Sequence, residues 1–206
     1  EVCCDLSAIP FYCLIYPYLD KNKYKLKERK CDMYQAGELI FYCSEGVCRV
    51  EGVETLDISG IDSEKLYYNL SPVYHVGNIY VPVDTKLFMR PIIRREEAQR
   101  LITLIPLVKV EVASNQSRRM LEESYNRYLQ THDCLDLIRL LKSIHLKASE
   151  AAKEKKKLGA IDERFKKKAE DLLFGEFAIA LNIPKEGVKD YIENRVREIG
   201  VKDIAI

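Results

Sequence analysis

Two periodicities divide the chain. Residues 37–83 carry short apolar runs with strand-like alternation, and residues 94–200 carry apolar positions three and four apart. In the first part, residues 37–42 (GELIFY) and 47–53 (VCRVEGV) predict two strands joined by the turn-like Ser44-Glu45-Gly46. Residues 66–70 (LYYNL) and 78–83 (NIYVPV) predict two more, rich in Tyr, Ile and Val. The polar segment 57–65 predicts a loop, and His75-Val76-Gly77-Asn78 a hairpin turn. Pro82 has no N–H to give a ladder, so it belongs at a strand end or a sheet edge. Short strands and turn signals at this spacing predict a small barrel.

The second part predicts about five helices. The first spans residues 94–105 and stops at Pro106, followed by a linker over 106–113. The second starts near Ser114 or Ser117 and runs to about Gln130. Asp133 is a good N-cap for the third, with Leu137, Ile138, Leu141, Ile144 and Leu146 toward a core. This helix is expected to fray over 148–158 and to stop at Gly159. Asp162 is expected to cap the fourth, whose stripe is Phe165, Ala169, Leu172, Leu173, Phe177 and Ala180. Pro184 opens the last, through Tyr191, Ile192 and Val196 to Gly200. The fold class read from this pattern is α+β, a small β module at 33–93 followed by an all-helical domain at 94–206.

Residues 1–32 follow neither period. They hold four of the seven cysteines and a polar run at 20–30. We read them as a non-native or disordered extension, with Met33 as the natural start. Composition changes the picture by exclusion. The 206 residues are 47% hydrophobic with a net charge of +1, which excludes a disordered chain. No run of about 18 apolar residues is present to span a membrane. The seven cysteines are irregularly spaced with no CxxC pair, as expected of free thiols in a reducing cytoplasm.

Signatures of catalysis are nearly missing: there is no GxGxxG, GxxxxGK[ST], GxSxG or HExxH. His132 and Cys134 lie two residues apart, and Cys43 and Cys48 flank a turn. The first pair reads as a helix start with a surface histidine, the second as buried packing. No catalytic residue, metal or cofactor is assigned, and an enzyme would rest on Cys43, Cys48, Cys134 and His132 alone. The distribution of charge says more. Between residues 142 and 168 ten basic residues face four acidic ones, a local excess of six, and Arg118, Arg119 and Arg127 add to it. Such a patch can meet phosphates and release counterions. Ordinary solubilising lysines are the other reading.

With these residues in view, 33–200 resemble the CarD/CdnL family of bacterial RNA polymerase-binding transcription regulators. MYQAGELIFYCSEGVCRVEGVET, LYYNLSP and NIYVPVDT…MRPI are similar to that family's first half, and NQSRRM, DLIRLLKSIH and FKKKAEDLLFGEFAIAL to its helical half. The first half is also similar to the polymerase-interacting module of transcription-repair coupling factors. The resemblance implies a Tudor-like (SH3-like) barrel docking on the RNA polymerase β subunit. It further implies a helical domain touching promoter DNA at the upstream edge of the bubble, largely without sequence readout. Carried over by position, the polymerase-binding residues are Thr55, Leu56, Ile79, Tyr80 and Val81. Those for DNA are Asn115, Gln116, Arg118, Arg119, Arg164 and Lys168. Some members have arginine at the positions of Leu56 and Tyr80, and a groove-wedging Trp at that of Gln116.

The expectation is thus a cytoplasmic, monomeric, non-enzymatic transcription regulator that modulates open-complex stability. A second reading is a protein-interaction module that uses the barrel without touching DNA.

Overall fold

The structure is a computed structural model that describes residues 33–56, 64–110 and 117–200. The extension at 1–32, most of the polar loop, and Asn115 and Gln116 lie outside the described residues.

Five antiparallel strands come first, completing the α+β, Tudor-like fold with the helices that follow. They are β1 (Leu39–Tyr42), β2 (Gly46–Thr55), β3 (Leu66–Pro72), β4 (Ile79–Pro82) and β5 (Met89–Pro91), in the spatial order β4-β3-β2-β1-β5. β5 was not expected. It has three residues, one a proline, too few to show a period, and it exists because Ile40 pairs with Pro91 and Phe41 with Arg90. A bulge between Val50 and Gly52 bends the long β2. Alternation then sorts the side chains. Ile40, Tyr42, Cys48, Val50, Tyr68, Leu70 and Val81 pack together on one face as the β core. Phe41 and Val47 lie on the other face and are also buried.

That second burial is supplied by the helices α1 (Arg95–Leu104), α2 (Arg118–Gln130), α3 (Cys134–Lys153), α4 (Ala160–Leu181) and α5 (Val188–Glu198). α4 is central, packing on α1, α2, α3, α5 and β2. Its Phe165, Ala169, Leu172, Leu173 and Phe177 are buried, as are Leu137, Ile138, Leu141 and Ile144 of α3. The caps largely follow the sequence. Ser117 Oγ accepts from the Met120 N–H at 3.4 Å, and Asp133 Oδ1 from the Leu135 N–H at 2.7 Å. α3 stays regular to Lys153 rather than fraying from 148.

Asp162 departs from its expected role. Gly159 is the N-cap of α4, and Asp162 lies buried in the first turn. Its Oδ1 accepts from the Tyr125 hydroxyl at 2.6 Å and from Lys147 Nζ at 3.4 Å. A tertiary hydrogen bond to α2 and an ion pair with α3 thus replace the local cap.

Candidate docking edge and basic face

Among the described residues strand β4 is bonded to β3 alone, which leaves its other edge without a strand partner there. Which groups face outward follows from the ladder. The Val83 N–H donates to the Leu66 carbonyl at 3.0 Å, and backbone direction alternates along an antiparallel strand. Val81 therefore points its backbone groups at β3, and Tyr80 and Pro82 point theirs away. Side chains alternate too. Val81 is buried in the β core, while Tyr80 is 43% exposed beside Asn69. The edge thus offers the Tyr80 N–H and carbonyl, with an aromatic ring next to them, while the Pro82 carbonyl already accepts the Thr85 N–H at 3.0 Å. Asn69 donates to Glu54 Oε1 at 3.0 Å, and its own Oδ1 is buried with no partner among the described residues. Leu66 is exposed nearby on β3. Of the other expected docking residues, Thr55 ends β2, Leu56 is buried and Ile79 packs partly into the β core.

The opposite side of the sheet is occupied. There β1 and β5 meet the helices through a buried ionic junction. Glu176 on α4 has no exposed surface, and its carboxylate takes both Arg90 guanidinium nitrogens, Nη1 on Oε1 and Nη2 on Oε2 at 2.8 Å. It also accepts the Ile93 N–H at 3.0 Å and the Cys134 thiol at 3.2 Å. Arg90 Nη2 reaches the His132 carbonyl at 3.2 Å, and the guanidinium lies 4.5 Å over the Phe41 ring. Every polar atom of the carboxylate is satisfied, as a buried charge requires. Sequence reasoning quoted Arg90 and Glu176 inside two separate motifs but had no signal for pairing residues 86 positions apart.

This junction also corrects the reading of His132 as a surface residue. Its ring stacks on Phe88 at 4.6 Å and its backbone is left-handed, with φ of +52°. Burial, assisted by the Arg90 charge, pushes its pKa below the ordinary 6.5. His132 and Cys134 do not form a thiol–imidazole pair, because the thiol turns to Glu176. Burial and the Glu176 charge push the Cys134 pKa well up, and burial pushes Cys48 up to about 12. Cys48 lies opposite Ile40, while the Cys43 thiol donates to the Phe88 carbonyl at 3.4 Å. Among the described residues no group of His, Cys, Asp and Glu could hold a metal ion.

The basic segment is partly used up inside the molecule. Lys142 is buried, and its Nζ donates to the Ile105 and Val108 carbonyls at 2.8 and 2.7 Å. It thereby satisfies the orphan carbonyls after α1, and burial lowers its pKa. Lys147 is bound to Tyr125 and Asp162. Neither faces a ligand, although both counted toward the excess of six.

Of what remains exposed, Lys153, Lys155, Lys156 and Lys157 lie at the end of α3 and in the loop after it, and the rest gathers on α2 and α4. Arg118 and Arg119 open α2, one turn before Glu122 and Glu123. Arg119 pairs with Glu123 at 2.9 Å, and Arg164 of α4 pairs with Glu122 at 2.9 Å. That second pair brings the α2 start and the α4 start together. Lys168 lies one turn beyond Arg164 on the same face of α4, exposed as Lys167 is. The structure therefore unites Arg118, Arg119, Arg164 and Lys168, which are 45 to 50 positions apart between helices in the sequence. Among the described residues no helix is long and apolar enough to cross a membrane.

Residues 34–93 match the family model described as the CarD-like/TRCF RID domain, a non-enzymatic RNA polymerase-interacting domain. No curated protein matches the chain.

Proposed function

We propose that the chain, whose residues 34–93 match the model of the CarD-like/TRCF RID domain, an RNA polymerase-interacting domain, docks on RNA polymerase by strand addition along β4. The β subunit is the proposed partner, and the helical half then contacts promoter DNA in the cytoplasm as a monomer. The observation that carries this reading is the asymmetry of the sheet. Helices bury the Phe41 and Val47 face and hold Arg90 of the other end strand, β5, whereas β4 keeps a backbone edge with no strand partner among the described residues and the exposed Tyr80. Ile79, Tyr80 and Val81 supply the strand, and Thr55 and Leu56 its neighbouring corner.

For DNA, the basic face of Arg118, Arg119, Arg164 and Lys168 is placed to neutralise backbone phosphates. Asn115 and Gln116 would add polar contacts just before α2. Contacts made better to opened than to closed promoter DNA shift that equilibrium, about tenfold for each 1.4 kcal/mol of difference. Sequence-independent binding fits a surface of cations without a base-reading helix. The test of docking is co-elution with RNA polymerase. The unmodified chain co-elutes, and Tyr80→Glu, which puts a charge into the apolar contact, does not. Equal co-elution of both would move the interface off β4.

A second reading has its own observation. Arg119 and Arg164 already hold carboxylates, so the free positive charge on the face is smaller than the sequence implies. A barrel that binds a protein partner with no DNA contact fits that economy. The two readings part on salt: polymerase–promoter complexes with the chain lose affinity steeply as salt rises only if phosphates are contacted.

A further inference from the structure

One concave site is not accounted for by the docking edge. A cleft of about 220 Å³ lies where the β1–β2 turn and the β3–β4 loop meet α4. Its floor is Val47, Tyr74 and Leu172, and its rim carries Arg164, Lys167, Lys168 and Lys185 with His75, Ser44, Glu45 and Asp171. Four cations face two carboxylates. One of these, Asp171, is already held by Lys185 at 2.8 Å. Lys185 also lies 4.8 Å over the Tyr74 ring, so its ammonium is fixed rather than free to wander. Arg164 commits one nitrogen, Nη2, to Glu122. Lys167 and Lys168 have no ion pair among the described residues.

The walls are also set firmly. The Tyr74 hydroxyl donates to the Gly175 carbonyl at 3.1 Å. Gly175 is what lets that ring approach, because a Cβ there would lie 3.0 Å from Tyr74 Cε2. Gly46 at the other wall is left-handed, with φ of +79°, and a Cβ on it would lie 3.2 Å from Leu172. The concavity is therefore built from close backbone approach between strand turn, loop and helix.

We propose that this cleft is a phosphate-binding site, taking one or two phosphate groups on Lys167, Lys168, Lys185 and Arg164. Cations converging from two elements on a small cleft with an apolar floor favour a compact, multiply charged oxyanion over a carboxylate or a flat surface contact. The phosphate can come from a DNA backbone or from a free phosphorylated solute, and the chemistry at the cleft is shared. The proposal does not depend on polymerase docking, since it concerns the isolated chain. If the source is DNA, it adds Lys167 and Lys185 to the contacts proposed above.

The test is a titration of the full 206-residue chain, with ¹⁵N-labelled amides read by NMR, using tripolyphosphate and separately a short DNA duplex. Saturable shifts around residues 44–47, 74–75, 164–172 and 185 are expected with tripolyphosphate. The double variant Lys167→Gln, Lys168→Gln is expected to weaken them about tenfold or more, the loss of at least one charge-assisted hydrogen bond. The control double variant Lys153→Gln, Lys156→Gln, two lysines outside the cleft, is expected to leave them unchanged. If tripolyphosphate displaces the duplex, the site serves DNA; if both bind together, it serves a free solute. Shifts that never saturate, or that the control variant weakens as much as the cleft variant does, would overturn the proposal. This readout is silent on polymerase, so its failure leaves the docking edge standing.

Discussion

Glu176→Gln is the substitution with the largest consequence that the geometry allows to be worked out. The side chain keeps its volume and one carbonyl oxygen, so the Ile93 N–H can stay bonded. What it loses is the charge facing Arg90, together with the second acceptor oxygen. Arg90 has an 11% exposed side chain, and water cannot replace the missing partner. Breaking a buried pair from one side typically costs about 3–5 kcal/mol. Against a typical domain stability of about 5–15 kcal/mol, that is a large fraction. Urea unfolding followed by circular dichroism measures it, with the m value showing whether cooperativity is kept. Arg90→Met should cost a similar amount, because Glu176 is then the uncompensated charge. The double variant should be less destabilised than the two losses added, by about 2 kcal/mol or more, since neither charge is then stranded. A Glu176→Gln cost below about 1 kcal/mol, with additive singles, would refute the view that this pair fastens the sheet to the helices.

Other outcomes follow from single contacts. Gly175→Ala should lower stability by about 1–3 kcal/mol, because the new Cβ meets the Tyr74 ring at 3.0 Å; an unchanged urea midpoint would mean the ring moves freely. His132 is held below its ordinary pKa of 6.5 by burial and Arg90, so the unfolded chain takes up a proton that the folded chain resists. Stability should therefore fall as pH drops through and below 6.5, and His132→Asn, which suits the left-handed backbone, should flatten that slope in thermal melts. His145 is lowered in the same direction by burial and by Lys166 and Lys189, so a slope that survives His132→Asn assigns the effect to it. Arg118→Ala with Arg119→Ala should weaken promoter complexes and reduce their salt dependence while sparing polymerase binding; equal loss in both assays would place the interface elsewhere.

Local chemistry was legible in the sequence wherever it acts within a few residues. Ser117 and Asp133 cap the helices they precede, and the four longer strands fall where alternation puts them. What escaped was decided across the fold. β5 is a strand because β1 lies beside it. Asp162 serves Tyr125 instead of its own helix end, and Lys142 serves carbonyls more than 30 residues away. A count of charges along 142–168 cannot separate those lysines from Lys167 and Lys168, which remain at the surface. The edge position of β4 was legible, since Pro82 already argued for an edge. That its free outward backbone groups belong to Tyr80 needed the register.

The central claim is that β4 is the polymerase-docking edge, and calorimetric titration of the chain into the isolated β-subunit lobe tests it most directly. The expected result is saturable binding at micromolar affinity or tighter, weakened at least about tenfold by Tyr80→Glu, which corresponds to about 1.4 kcal/mol. No binding from a folded sample, or binding that Tyr80→Glu leaves intact, would contradict it.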